Sequence, residues 1–335
     1  MGPKGLNAQW TRLTVHWATL QPGAPGTTAD RYDPTYLAQL DTVIGALHGA
    51  GITVILTMQD VPRWASDSSL WHSPPPGSPK GYAPSFAIDT RSAVAMTAFH
   101  DLGTFLAGRY GQAQFGVHHF ECWNEPNLGL FLYPQRTAGS PRRGMLVYLA
   151  MLKEFSTGVR ASGVPGTVVI AGATAPTGVN LAGNTYSSTP QSFALYLKAQ
   201  AAGKYFDAYS HHPYTPGGSI HHAPDQPPND ATRTVTLYDL GQLLRVFPTK
   251  PFYLTEYGYS TEYSRIFGLT ITEAQQAQYL RTAYSYVRRY KQVKALIWYT
   301  LQDWGNARTG VGVFTGLDTV SGAHKPSWNA FRALP

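Results

Sequence analysis

The sequence predicts an α/β protein that folds as a (β/α)8 barrel of the TIM type, and three observations support this. Short runs rich in β-branched and aromatic residues alternate with longer helical patterns along the chain. The segments after these runs are long and those before them are short, as expected when a site lies at the carboxyl ends of barrel strands. No Gly-x-Gly-x-x-Gly turn follows the first run, which counts against a doubly wound dinucleotide-binding sheet.

Each element of the barrel has its own signal in the sequence. The predicted strands are 11–17, 52–59, 117–125, 167–174, 206–214, 251–259 and 294–303. The predicted helices are 36–50, 94–110, 144–162, 192–202, 234–247 and 272–290. Thr272-Glu273 opens the last of these with an acidic first turn, and Gly51 and Gly163 end two others. We therefore expect one barrel domain over residues 1–335.

The first strand of the barrel is missing or atypical at the N-terminus, because only seven strands are predicted where eight are needed. The stretch Gly5-Leu6-Asn7 looks like the turn that leads into a second strand. An open barrel edge would expose unpaired backbone groups. We therefore expect residues 1–10 to insert in extended form between the strands at 11–17 and 294–303.

Composition excludes several classes of protein. The 335 residues are 43% hydrophobic and only 13% charged, which is the opposite of a disordered chain. No apolar run is long enough to span a bilayer, so no membrane partner is expected. The net charge is +7, but the densest basic groups are only Arg142-Arg143 and Arg288-Arg289. Scattered basic residues indicate a solvated surface, and no nucleic-acid partner is expected.

The number of cysteines bears on whether the protein is secreted or cytoplasmic. Cys122 is the single cysteine, so an intramolecular disulfide is impossible. The first five residues lack the apolar core of a signal peptide. Low charge and abundant Gly, Ser, Thr and Tyr favour a secreted bacterial protein, with the cytoplasm as the alternative.

Two of the six glutamates lie at the carboxyl ends of predicted strands. Glu125 belongs to a Trp-Asn-Glu-Pro segment, and Glu256 belongs to a Thr-Glu-Tyr-Gly segment. A carboxylate at the end of a barrel strand is more often catalytic than structural. Two carboxylates that converge on one cleft suit glycoside hydrolysis, in which one donates a proton and the other attacks the sugar or activates water.

These two segments resemble the signatures of glycoside hydrolase clan A barrels, and the chain resembles families 39 and 5 of that clan most. The resemblance covers nearly the whole chain and includes Arg12, Pro62-x-Trp64, His212-x-Tyr214 and Trp298. It implies that Glu125 is the acid/base and Glu256 the nucleophile of a retaining enzyme. Such an enzyme hydrolyses a β-type O-glycosidic bond in an oligo- or polysaccharide without a cofactor, and its carboxyl groups lie about 5–5.5 Å apart.

The resemblance also assigns roles to residues beside the glutamates. Arg12 would hold Glu256 ionised through a charge-assisted hydrogen bond, and the alternative is an interior ion pair with Glu121. Asn124 would bind the sugar 2-hydroxyl, and the alternative is a turn-forming role.

Four further residues are expected at the substrate. Tyr214 would orient the nucleophile or cap a backbone group, and His212 would bind a sugar hydroxyl or Glu125 or be a core histidine. Trp298 would form the floor of the reacting-sugar subsite. Trp64 and Trp304 lie in long loops where aromatic rings could stack on sugars or pack against other loops.

Other chemistries are less consistent with the sequence. The histidine pairs His118-His119, His211-His212 and His221-His222 are poor chelates, because adjacent strand residues point to opposite faces, so no metal site is expected. No Gly-x-Ser-x-Gly elbow is present. The remaining alternatives are a catalytically inactive carbohydrate-binding barrel and a transglycosylase.

Overall fold

In the part of the chain that the structure describes, seven parallel strands form one sheet, and their order in space is their order in the chain. The computed structural model describes residues 5–27, 32–70, 86–180, 185–217 and 223–335. The strands are β1 (Trp10–His16), β2 (Thr53–Gln59), β3 (His119–Glu121), β4 (Val168–Thr174), β5 (Ala208–His211), β6 (Phe252–Tyr257) and β7 (Val293–Trp298). Sequential parallel order is the product of repeated βα units, so the predicted barrel class is confirmed.

The helices pack around this sheet. They are α1 (Trp17–Leu20), α2 (Pro34–Gly49), α3 (Ala93–Tyr110), α4 (Arg143–Ala161), α5 (Pro190–Ala199), α6 (Gly241–Leu244), α7 (Glu273–Val287) and α8 (Pro326–Arg332). Asp33, Ser92 and Thr189 cap three of the helix N-termini, and Thr272 forms a capping box with Gln275 at α7. No helix in the described ranges is long and apolar enough to cross a membrane.

The core has two layers. Between the sheet and the helices lie large buried side chains such as Trp17, Phe99 and Phe155. Inside the curled sheet, a smaller cluster combines residues of β2, β4, β5 and β6, namely Ile55, Ile170, Ala208 and Tyr253. This inner cluster packs the lower end of the barrel, away from the end at which the strands terminate.

The edges of the sheet are β1 and β7, and we call the line between them the seam. Cα atoms of the two strands come within 8 Å of each other. Within the described ranges, no backbone ladder joins them. The barrel is therefore curled but not closed by hydrogen bonds along the seam.

The expectation that residues 1–10 insert as an extended strand is wrong for residues 5–9, and residues 1–4 lie outside the described ranges. Residues 5–9 form a turn and irregular chain. Leu6 is buried against Leu280 of α7 and Ala330 of α8, together with Leu317. Burial of this apolar side chain under α7 and α8 stabilises residues 5–9 as a turn in place of the expected strand.

Two other regions differ from the sequence prediction. Only Gly241–Leu244 of the predicted helix 234–247 is helical, because the Asp239 carboxylate accepts from the Thr236 backbone N–H at 2.7 Å and shapes a turn instead. An antiparallel hairpin of β8 (Trp304–Asn306) and β9 (Val311–Val313) follows β7 and was not predicted.

The close packing of α3 and α4 gives a stability prediction. A Cβ atom at Gly158 of α4 would lie 2.0 Å from the His100 carbonyl oxygen of α3, so alanine there forces the helices apart. We expect Gly158→Ala to lower the free energy of unfolding by about 1–3 kcal/mol. Gly108→Ala on α3 is the matched control, since a Cβ there meets nothing within 4 Å. It should raise stability by about 0.5 kcal/mol in denaturant unfolding. Equal effects of the two changes would contradict this account of the helix contact.

Candidate active site

Arg12 lies at the centre of the candidate site. It points into the barrel from β1, and its side chain is only 6% exposed. Its Nε donates to Glu121 Oε2 at 2.6 Å, its Nη2 donates to Asn124 Oδ1 at 2.7 Å, and its Nη1 donates to Glu256 Oε1. Burial opposes the charge, but Glu121 and Glu256 raise the pKa of Arg12. Both sequence interpretations of Arg12 therefore describe contacts that exist together.

Glu121 is the fully buried partner of Arg12. Its Oε2 also accepts from Thr57 Oγ1 at 2.7 Å, and its Oε1 accepts from Thr255 Oγ1 at 2.9 Å. Burial opposes ionisation, but the Arg12 charge and the hydrogen bonds to this carboxylate lower the pKa of Glu121. Glu121 is therefore an anion at neutral pH.

The backbone around Glu125 leaves the regular strand. Strand β3 ends at Glu121, four residues earlier than Glu125, and both Trp123 (φ 77°) and Glu125 (φ 38°) are left-handed. Each such residue costs on the order of 1–2 kcal/mol. A hydrogen bond from Trp123 Nε1 to the Phe131 carbonyl at 2.9 Å and one from Glu125 N to the Ala173 carbonyl at 2.9 Å hold this shape.

Glu256 faces the barrel because β6 contains a bulge. Leu254 lies opposite Leu296 and Tyr257 lies opposite Trp298, so three steps on β6 match two on β7. The extra residue allows Thr255 and Glu256 both to contact interior groups. Glu256 Oε2 accepts from Tyr214 Oη at 3.0 Å while Oε1 accepts from Arg12. These two donors fix the orientation of the Glu256 carboxylate.

His212 connects the two glutamates. Its Nδ1 lies 3.0 Å from Glu125 Oε1 and 3.7 Å from Glu256 Oε2, and its Nε2 lies 3.1 Å from Thr255 Oγ1. Complete burial lowers the pKa of His212 to about 4, so the ring is neutral at pH 7. The preceding His211 points to the other side of the sheet and contacts Thr174 and the Val235 carbonyl.

The geometry brings both predicted carboxylates into one small space. One oxygen of Glu125, one of Glu256 and a ring nitrogen of His212 lie within 4.8 Å of one another. The two glutamate side chains are 14% and 13% exposed, so they are accessible to a substrate while their partners are buried. Three such ligands could hold a cation, but hydrogen bonds to one another or to Arg12 and Tyr214 already engage their atoms, and we assign no metal here. His221 and His222 lie outside the described residues.

The three tryptophans predicted at the substrate lie in different settings. Trp298 ends β7, is partly buried beside Tyr257 and donates from Nε1 to the Thr315 carbonyl at 2.8 Å. Trp64 packs edge-on against Trp17 with ring centroids 5.7 Å apart. Trp304, in β8, is 52% exposed. Trp64 Nε1 also donates to the Gln21 carbonyl at 3.1 Å.

Sequence reasoning missed three polar residues of the site. Thr57 could have been found, because it shares the inward face of β2 with Ile55. Thr255 could not, because strict alternation places it on the opposite face from Glu256. Tyr299 follows Trp298 directly, and burial raises its pKa, to which Glu256 and Glu125 also contribute.

A barrel with two carboxylates beside a buried arginine at the carboxyl ends of its strands defines the protein as a glycoside hydrolase. The chain belongs to glycosyl hydrolase family 5, since the family model described as cellulase matches residues 4–303. A comparison with curated proteins found no match.

Solved structures of glycoside hydrolases share the fold. A family 39 glycoside hydrolase from Bacteroides cellulosilyticus WH2 is 18% identical, with a TM-score of 0.65 over 97% of this chain and 57% of that one. A β-xylosidase from Caulobacter crescentus CB15 is 19% identical, with a TM-score of 0.62 over 98% and 62%. A GH5_18 protein from Bifidobacterium longum subsp. infantis is 16% identical, with a TM-score of 0.65 over 98% and 70%. The chain thus spans about 60% of the first two structures.

The buried charges of the site give a second prediction. Arg12→Met leaves Glu121 buried without its counter-ion, and this should lower the free energy of unfolding by about 3–5 kcal/mol. Arg233→Met removes an ion pair with Asp230 in which the arginine is 53% exposed. This control should change stability by less than about 1 kcal/mol in the same denaturant titration. A loss at Arg12 no larger than at Arg233 would show that the interior charge is compensated elsewhere.

Proposed function

We propose that the protein is a retaining glycoside hydrolase that cleaves a β-type O-glycosidic bond in an oligo- or polysaccharide. The observation that carries the proposal is the close approach of Glu125, His212 and Glu256, whose ligand atoms lie within 4.8 Å of one another. Retaining enzymes have carboxyl groups about 5–5.5 Å apart, whereas inverting enzymes leave about 6.5–9.5 Å for a water molecule. The short separation supports retention.

The hydrogen bonds support a separate role for each carboxylate. Glu256 accepts from Arg12 and Tyr214, and these donors orient its carboxylate for attack on the anomeric carbon and formation of a glycosyl-enzyme. Glu125 contacts neutral His212 and donates its proton to the leaving oxygen as the glycosidic bond breaks. Glu125 then removes a proton from water, which attacks the glycosyl-enzyme and releases Glu256.

The proposed substrate is defined by its β-type glycosidic bond. The structural neighbour from Caulobacter crescentus is named as a β-xylosidase, which supports a β-linkage. The partly buried Trp298 beside Tyr257 is the proposed floor of the reacting-sugar subsite, and exposed Trp304 is proposed to stack on a sugar farther out. Secretion, which the composition favours, belongs to the same proposal.

The nucleophile can be tested by chemical rescue on a panel of aryl β-glycosides and α-L-arabinofuranosides. We expect Glu256→Ala to lose at least about 10⁴-fold in kcat, because the covalent intermediate cannot form. Azide should restore turnover and give a glycosyl azide of inverted configuration, identified by NMR. Glu125→Ala with azide should give the azide of retained configuration from a substrate with an activated leaving group.

The matched control is Glu262→Ala, which removes an exposed carboxylate from the loop after β6 and should leave turnover unchanged. Loss of activity without azide rescue in Glu256→Ala would contradict the nucleophile assignment. Binding of sugars without turnover by the wild type would favour the inactive carbohydrate-binding barrel. Sugar transfer to an acceptor in place of water would identify a transglycosylase.

A further inference from the structure

Glu121 is fully buried and is linked by hydrogen bonds through other side chains to both Glu125 and Glu256. Through Oε2 it binds Arg12, which also binds Glu256. Through Oε1 it accepts from the Thr255 hydroxyl, which lies 3.1 Å from His212 Nε2. His212 Nδ1 in turn lies 3.0 Å from Glu125 Oε1. A single buried carboxylate is therefore linked to Glu256 through Arg12, and to Glu125 through Thr255 and His212.

The direction of each hydrogen bond along the second branch can be worked out from Glu121. An ionised carboxylate can only accept hydrogen bonds, and Arg12 keeps Glu121 ionised. The single hydroxyl hydrogen of Thr255 is thus directed to Glu121. The Thr255 oxygen can then only accept from His212, so Nε2 must be the nitrogen that carries the hydrogen.

The same logic extends to Glu125. A neutral imidazole carries one N–H, so His212 Nδ1 has a lone pair directed at Glu125 Oε1. This contact is favourable when Glu125 carries a hydroxyl hydrogen that it donates to Nδ1. When Glu125 is ionised, two electron pairs face each other across 3.0 Å. The arrangement therefore favours the protonated form of Glu125.

We propose that Glu121 and Thr255 are positioning residues that fix His212 as the Nε2–H tautomer and so retain on Glu125 the proton that the leaving group receives. We call Glu121, Thr255, His212 and Glu125 the tautomer relay. The proposal rests on the function proposed above and explains how Glu125, the general acid, is kept protonated. In the first step the Glu125 O–H bond breaks as the leaving-group O–H bond forms. In the second step a water O–H bond breaks and the Glu125 O–H bond forms again, so His212 stays neutral throughout.

Other titratable groups also act on His212 and Glu125. They come from several elements, and those that face the relay are Arg12 on β1, Tyr214 after β5, Glu256 on β6 and Tyr299 after β7. His211 on β5 lies on the other side of the sheet. An informative test must leave these charges in place. Thr255→Val satisfies this condition, because it removes a hydroxyl and no charge.

The chain offers a matched control for this change. Thr57 is as buried as Thr255 and also donates to Glu121, but to Oε2 on the Arg12 branch. Thr57→Val therefore removes a comparable hydroxyl from the same carboxylate without touching His212. Thr255→Ser retains the hydroxyl and should restore the relay.

The pH dependence of kcat/KM on an unactivated aryl glycoside is the first measurement. In Thr255→Val, His212 can adopt the Nδ1–H tautomer, which donates to the ionised form of Glu125. The alkaline limb of the profile should therefore move to lower pH by about one unit. Thr57→Val and Thr255→Ser should keep the wild-type limb. Equal shifts in both valine variants, or none in Thr255→Val, would overturn the relay.

The leaving group provides a readout that a structural defect would not reproduce. A dinitrophenyl leaving group departs without protonation, so Thr255→Val should hydrolyse it at the wild-type rate. At pH values above the shifted limb, the same variant should lose about tenfold on a phenyl glycoside. An equal loss on both substrates would indicate a distorted site and contradict the proposal.

The tautomer itself can be observed without turnover. In wild-type protein labelled with ¹⁵N-histidine at pH 7, His212 should show a protonated Nε2 and an unprotonated Nδ1, with the signals assigned by their loss in His212→Gln. If the protein hydrolyses glycosides but His212 is the Nδ1–H tautomer, the tautomer relay is wrong and the proposed function stands. Absence of hydrolysis on every glycoside would instead show that the proposed function is wrong.

Discussion

The site depends on one buried guanidinium. Withdrawing Arg12, Glu121 and Glu256 from water costs several kcal/mol per ion, and this cost is offset only when every charge has well-placed partners. Arg12 meets the condition by donating to groups from β3, the segment after it, and β6. The rigid fork of the guanidinium fixes the relative positions of these groups, which a lysine could not do. Strand β1 thus positions residues that lie more than 100 positions later in the sequence.

A second constraint is that some consecutive residues of the site must both point into the barrel. Regular strands alternate, so a site that needs neighbouring inward side chains must interrupt them. The chain does this in two ways. The segment with Asn124 and Glu125 uses left-handed residues after a short strand, and the segment with Thr255 and Glu256 uses a bulge. Both irregularities lie where the strands approach the open end of the barrel, where strain and function commonly occur together.

Prediction from the sequence was most accurate where the pattern of apolar residues along a strand or helix is regular. Five of the seven predicted strands match observed ones to within three residues at each end, because buried parallel strands are continuous apolar runs bounded by turns. The predicted strands 117–125 and 294–303 end four and five residues earlier than expected. The meeting of Arg12, Asn124, Glu125, His212, Tyr214 and Glu256 was anticipated from motif resemblance. Thr255 and the tautomer relay were not, because a bulge leaves no mark in composition. The N-terminal turn was missed because Leu6 is buried by helices more than 270 residues away, a contact that no local pattern encodes.

The seam has a consequence for how the protein loses activity on heating. Edges that lack a backbone ladder are the places where local opening begins, at a lower free energy than global unfolding. Here the opening edge carries Arg12, whose contacts with β3 and β6 bridge the interior in place of that ladder. Fluctuation of β1 alone would separate Glu256 from its counter-ion while the remaining strands and helices stay folded. We therefore expect the site to lose its geometry at a lower temperature than the whole protein melts, and the difference between the two temperatures would measure how firmly Arg12 holds β1 in place.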